Sequence, residues 1–197
     1  MNKLMQLRME GVINPRREDT AAHEAAHAVL SIALGGRVHS ASVSPWDMDG
    51  LTAFDGLVRH EMPDVKQLRD VVSVGGFVAE QVRVFGWNPE QWEVEAIELG
   101  DGGGALDDLQ TVVDGIVPRL PVDYFEEIVV GALVTLHRYR AQWLRLASLL
   151  EQVDTIHGDD VHLLWERDKP GSDLPIDLKA RDIAAYLHGA VYPTGPE

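Results

Sequence analysis

The stretch Thr20-Ala-Ala-His-Glu-Ala-Ala-His-Ala-Val-Leu-Ser-Ile-Ala-Leu-Gly-Gly36 decides how the rest of the chain is read. Ala21, Ala25, Val29, Ile32 and Ala33 recur at helical spacing. Asn14-Pro15 is a favourable helix start and Gly35-Gly36 a favourable stop, so a helix is expected from about Pro15 to Leu34. Within it, His23-Glu24-Ala25-Ala26-His27 matches HExxH. Residues four apart share a helix face, so His23 and His27 can offer imidazole nitrogens to one cation, with Glu24 beside them as a non-ligating base.

Outward from this helix the period changes. From Arg37 side chains alternate to Pro45, and a second extended run covers Leu51–His60. The two are joined through a loop containing Asp47, Asp49 and Gly50, which reads as a short hairpin or small sheet. Pro63 opens a second helix carrying Val65, Leu68, Val71, Val72, Phe77, Val78, Val82 and Phe85 up to Gly86. Gly75 and Gly76 lie inside it, a pairing that usually marks close approach of another backbone. A third helix is expected near Ala105. Ile128, Ala132, Leu136, Tyr139, Trp143, Leu146, Leu150 and Val153 then form one stripe on a helix of about thirty residues. Gly158 ends it, and a short helix Asp159–Arg167 follows. The expected fold is mainly α with a small β-sheet, an α+β architecture. Residues 1–167 form the domain, and 168–197 are an extension in which Asp177–Gly189 could make a short docked helix.

Composition narrows the chemistry. The 197 residues carry a formal charge of −15, which opposes binding to nucleic acid or anionic membranes because a polyanion is repelled. With no cysteine, disulfides, thiolate catalysis and Cys-ligated metals are excluded. No apolar run reaches the roughly 18 residues of a membrane span. Arg8 and Glu10 interrupt what would be a signal peptide's apolar core, so a cytoplasmic protein is expected.

A catalytic zinc usually takes three protein ligands. The extended HExxHxxGxxH pattern fails because positions 30 and 33 are Leu30 and Ala33, and a Cys-dependent site is excluded. A downstream carboxylate remains, with Glu80 and the Asp107-Asp108 pair as candidates.

Four blocks in order, HEAAHAVL, GGFVAEQVRVFG at Gly75–Gly86, GALDDLQ at Gly104–Gln110 and LRLASLLEQVDTIHGDDVHLLWE at Leu144–Glu166, resemble the protease domain of the FtsH family of zinc metalloproteases. The resemblance covers about Thr20–Arg167. It implies an FtsH-like zincin fold, with the HExxH helix followed by a C-terminal helical bundle. It further implies zinc ligands His23, His27 and Asp108, with Asp107 on the family's Asn position, and Glu24 as catalytic base. Glu80 falls on the Glu of the family's Ala-Glu dipeptide and is expected to orient a ligand imidazole.

The family's membrane spans and ATPase module are not found. No Gly-Lys dipeptide exists, so there is no Walker A loop, and only 22 residues precede His23. The expectation is a free-standing, ATP-independent zinc metalloendopeptidase acting on flexible or unfolded polypeptides, alone, as a homo-oligomer, or with a separate partner that delivers substrate. The alternative is a non-catalytic, metal-stabilised interaction domain on the same fold. Residues 84–118 hold eight acidic and no basic side chains, contributing −8 of the net charge. That points to a cleft edge suited to basic or neutral peptides.

Overall fold

The computed structural model describes residues 16–48, 51–87 and 122–167. The expected helix near Ala105, the Asp107-Asp108 pair and the extension 168–197 lie outside the described residues.

The helix that carries HExxH, α1, spans Arg17–Ala33. Alanine is the best helix former, and Glu18 and Asp19 place negative charge in the first turn, where the helix dipole favours it. The helix starts two residues later than the Asn14-Pro15 signal suggests, with Arg16 as its N-cap. At the other end Gly35 adopts φ 84°. Its N–H donates to the Ile32 carbonyl at 3.1 Å, and that of Gly36 to the Ser31 carbonyl at 2.7 Å. This is a Schellman termination, which needs a residue tolerant of left-handed backbone at position 35.

Strands β1 (Arg37–Met48) and β2 (Leu51–Glu61) form an antiparallel hairpin, in register from Arg37↔Glu61 to Met48↔Leu51, with an irregularity between Val38 and Ser40. Asp47, expected in the loop, instead pairs with Thr52 within the ladder. A short strand that local pattern does not signal, β3 (Thr155–His157), pairs with the other side of β1 and gives the order β2-β1-β3.

Two expected helices are each broken in two. The first consists of α2 (Lys66–Ser73) and α3 (Gly75–Phe85), separated at Val74. It begins at Lys66 rather than Pro63, and the two glycines that follow Val74 are weak helix formers, so a break there costs little. The long amphipathic run consists of α4 (Val122–Arg138) and α5 (Arg140–Leu150), separated at Tyr139. A straight helix would aim its apolar stripe in one direction. The break lets α4 pack on α2 and α3 while α5 lies along α1. The stripe is otherwise as expected, with Ile128, Ala132, Leu136, Tyr139, Trp143, Leu146 and Leu150 all buried; Val153 is 43% exposed because α5 ends at Leu150. The last described helix, α6, spans Gly158–Arg167.

The described chain is thus mainly helical with one three-stranded antiparallel sheet, an α+β architecture. α1 lies at its centre, packed by α5, α3, β1 and β2, and every residue from Ala21 to Ser31 is buried. Its alanines allow neighbours to approach from all sides. The Trp143 indole N–H reaches the Ala22 carbonyl at 2.8 Å and ties α5 to the turn before His23. No helix among the described residues is long and apolar enough to cross a membrane.

A candidate metal centre on the buried helix

His23, Glu24 and His27 are 6%, 7% and 8% exposed. Three histidine or glutamate side chains buried on one helix need partners, because unpaired polar groups in a core are costly. Each imidazole has one on its Nδ1 side. His27 Nδ1 lies 2.8 Å from the carbonyl oxygen of Val72, on α2. A carbonyl only accepts, so this nitrogen carries the proton. His23 Nδ1 lies 2.8 Å from Oε1 of Glu80, on α3, and donates to that carboxylate.

With both Nδ1 atoms protonated, the Nε2 atoms hold the lone pairs, and these converge to 3.0 Å. Two lone pairs at this distance repel unless a cation lies between them, either a shared proton or a metal ion. Tetrahedral zinc, with nitrogens about 2.0–2.1 Å away, sets two such nitrogens roughly 3.3 Å apart, close to the separation seen. The donor set therefore fits zinc: neutral imidazoles, each oriented through its second nitrogen by a carboxylate or carbonyl.

Glu80 therefore stands on the Nδ1 side of His23, away from the converging nitrogens. Among the described residues no group of three or more His, Cys, Asp or Glu is assembled that could hold a metal. Asp108, the third ligand implied by the resemblance, lies outside them, as does Asp107.

Glu24 faces the sheet. β2 runs beside α1, with the Thr20 hydroxyl donating to the Phe54 carbonyl at 3.4 Å, Glu24 against Gly56, and Ser31 against His60. Positions 54, 56 and 60 share one face of the strand. Among the described residues β2 is an edge of the sheet, and the carboxylate sits next to that edge.

His60 has no metal-ligand spacing along the chain, yet it stands one turn along α1 from His27. The Ser31 hydroxyl donates to the His27 carbonyl at 2.7 Å, so its oxygen accepts from His60 Nδ1–H at 2.9 Å. Burial first, and the electrostatic influence of the nearby His27 and His39 next, push the His60 pKa below its usual 6.5. Spacing could not reveal this, since Ser31 and His60 are 29 residues apart.

The paired glycines do face a close neighbour, α1, but they meet its side chains more tightly than the backbone that was expected. A β-carbon on Gly75 would meet the Leu30 side chain, and one on Gly76 the His23 imidazole. The close neighbours are side chains of α1, with its backbone no nearer than 3.7 Å at Gly75. No family model matches the chain, and a search among curated proteins finds no match.

Proposed function

We propose that the protein is an FtsH-like zinc metallopeptidase that hydrolyses peptide bonds in flexible or unfolded polypeptides without ATP. The observation that carries this reading is the convergence of two imidazole Nε2 atoms at 3.0 Å, each with its Nδ1 proton held elsewhere, beside a buried glutamate. The four ordered sequence blocks support it independently, and they supply Asp108 as the proposed third ligand.

When bound, zinc would supply Lewis acidity, polarising a peptide carbonyl and lowering the pKa of a water to about 7. His23 and His27 would hold it through Nε2, with Glu80 and the Val72 carbonyl fixing ring tautomer and orientation. Glu24 accepts the proton of the attacking water at its carboxylate and passes it to the leaving amine. Its position against the edge strand suits this role, since an extended peptide adding to β2 runs past the carboxylate at Gly56.

The test uses casein as an unstructured substrate. Cleavage by the purified protein should stop with chelator, return with zinc, and be lost in Glu24→Gln with zinc content unchanged. Equal turnover by Glu24→Gln would overturn the assigned role. A zinc-loaded wild type that cleaves nothing would leave the non-catalytic interaction domain as the better reading.

A further inference from the structure

His23 and Glu24 are neighbours in sequence, yet each is met by a glycine from a different element. On α3, a β-carbon at Gly76 would stand 2.5 Å from His23 Nδ1 and closer still to Cε1 and Nε2. On β2, a β-carbon at Gly56 would stand 2.5 Å from Glu24 Cδ and closer still to Oε1 and Cγ. Neither glycine is required by its own backbone, because the positive-φ glycines among the described residues are Gly35 and Gly86. Local propensity favours neither: glycine is a weaker helix former than alanine in the first turn of α3, and it weakens a strand interior. What the two positions have in common is a side chain of α1 pressed against each.

We propose that Gly76 and Gly56 are positioning residues with separate roles. Gly76 gives the His23 imidazole the room it needs to converge with His27, and so sets cation affinity. Gly56 lets the Glu24 carboxylate lie flush against the edge strand, and so sets proton transfer. The two clearances differ in rigidity. The His23 ring is held at Nδ1 by Glu80 and faces His27 through Nε2, so it cannot swing aside without losing one of them. At Glu24 the overlap involves Cγ as well as Cδ and Oε1, so it is relieved by turning the side chain about its Cα–Cβ bond. These two roles rest on the metallopeptidase reading; the clearances do not.

The closing experiment therefore has a metal-free arm and a metal-loaded arm. Without metal, Gly76→Ala should lower the urea midpoint in the wild-type background and lose that effect in a His23→Ala background, because removing the imidazole removes the overlap. Gly56→Ala should behave the same way toward Glu24→Ala. Equal losses in both backgrounds, for either pair, would overturn that clearance. With zinc, Gly76→Ala should bind about 10- to 100-fold more weakly by competition with a chromophoric chelator, the loss expected when ligand support is disturbed. Gly56→Ala should bind zinc within about twofold of wild type while kcat falls about 100-fold and KM holds, the scale of an ångström-sized misplacement.

Gly75→Ala is the internal control. Its β-carbon meets only the terminal Cδ1 of Leu30 at short range and lies an ordinary 3.6 Å from His27 Nδ1, so zinc affinity should stay at the wild-type value. Zinc affinity that falls equally in Gly75→Ala and Gly76→Ala would overturn the specific role of Gly76. A wild type without zinc binding or turnover would overturn the metallopeptidase reading, and the metal-free cycles would still decide the clearances.

Discussion

The Nδ1 atom of His23 and the Oε1 atom of Glu80 are 2.8 Å apart, although 57 residues separate them along the chain. This contact joins α1 to α3 and decides which nitrogen of His23 faces His27. A carboxylate behind a ligand imidazole raises its basicity and holds its plane. Glu80→Gln should retain the fold and weaken zinc binding about 10- to 100-fold by chelator competition. Unchanged affinity would show that the contact does not support the site.

Asp108 and Asp107 make opposite predictions. Asp108→Ala should abolish stoichiometric zinc binding, whereas Asp107→Ala should bind one zinc per chain as wild type does, measured by elemental analysis after gel filtration. If Asp108→Ala keeps full zinc and Glu80→Ala loses it, the third-ligand assignment is wrong.

Tyr124 links α4 to α2 through its hydroxyl, which donates to Asp70 Oδ2 at 2.7 Å, and Asp70 also pairs with Lys66. Burial, the hydrogen bond to Asp70 and the nearby carboxylates raise the phenol's pKa above its usual 10.0. The folded state thus keeps a proton that the unfolded chain releases near 10, so this contribution is present below pH 10 and fades as pH rises above it. Tyr124→Phe should cost about 1 kcal/mol at neutral pH and flatten the alkaline fall in the urea midpoint. An alkaline fall as steep as that of wild type would rule out Tyr124 as its source.

His60 acts at the acidic end. Its pKa is lowered by burial first and by His27 and His39 next, so the folded state resists a proton that the unfolded chain accepts near 6.5. Stability from this source is present above pH 6.5 and is lost as pH falls from there through the lower folded value. In metal-free protein, His60→Gln should narrow the difference between urea midpoints measured at about pH 7.5 and about pH 5.5, on either side of the ordinary histidine value. A difference equal to that of wild type would place the acid sensitivity on other groups.

Trp143 buries its ring against α1 and donates its indole N–H to the Ala22 carbonyl at 2.8 Å. Trp143→Phe removes that hydrogen bond and part of the packed volume, and should cost about 2–3 kcal/mol of unfolding free energy. A loss below about 0.5 kcal/mol would show that the link between α5 and the turn before His23 matters little.

Much of the architecture follows from local pattern. Alanine-rich helical spacing stopped by Gly35-Gly36, alternation in the next two runs, and the stripe from Ile128 to Leu150 each depend on neighbours within a few residues. Local spacing suffices for these, because the periods of helix and strand are properties of the backbone itself. The same holds for His23, Glu24 and His27, whose shared location on one helix follows from about 3.6 residues per turn. Only the tertiary structure decided where the long amphipathic runs break, at Val74 and Tyr139; the second break lets α4 pack on α2 and α3 while α5 lies along α1. It alone showed that His23 is the imidazole Glu80 meets, and brought the Val72 carbonyl to His27 Nδ1, His60 to Ser31, and Gly76 and Gly56 against the His-Glu pair. Spacing along the chain carries no trace of such contacts; they arise when separate elements compete for the same face of a buried helix, and volume and hydrogen bonding select what fits.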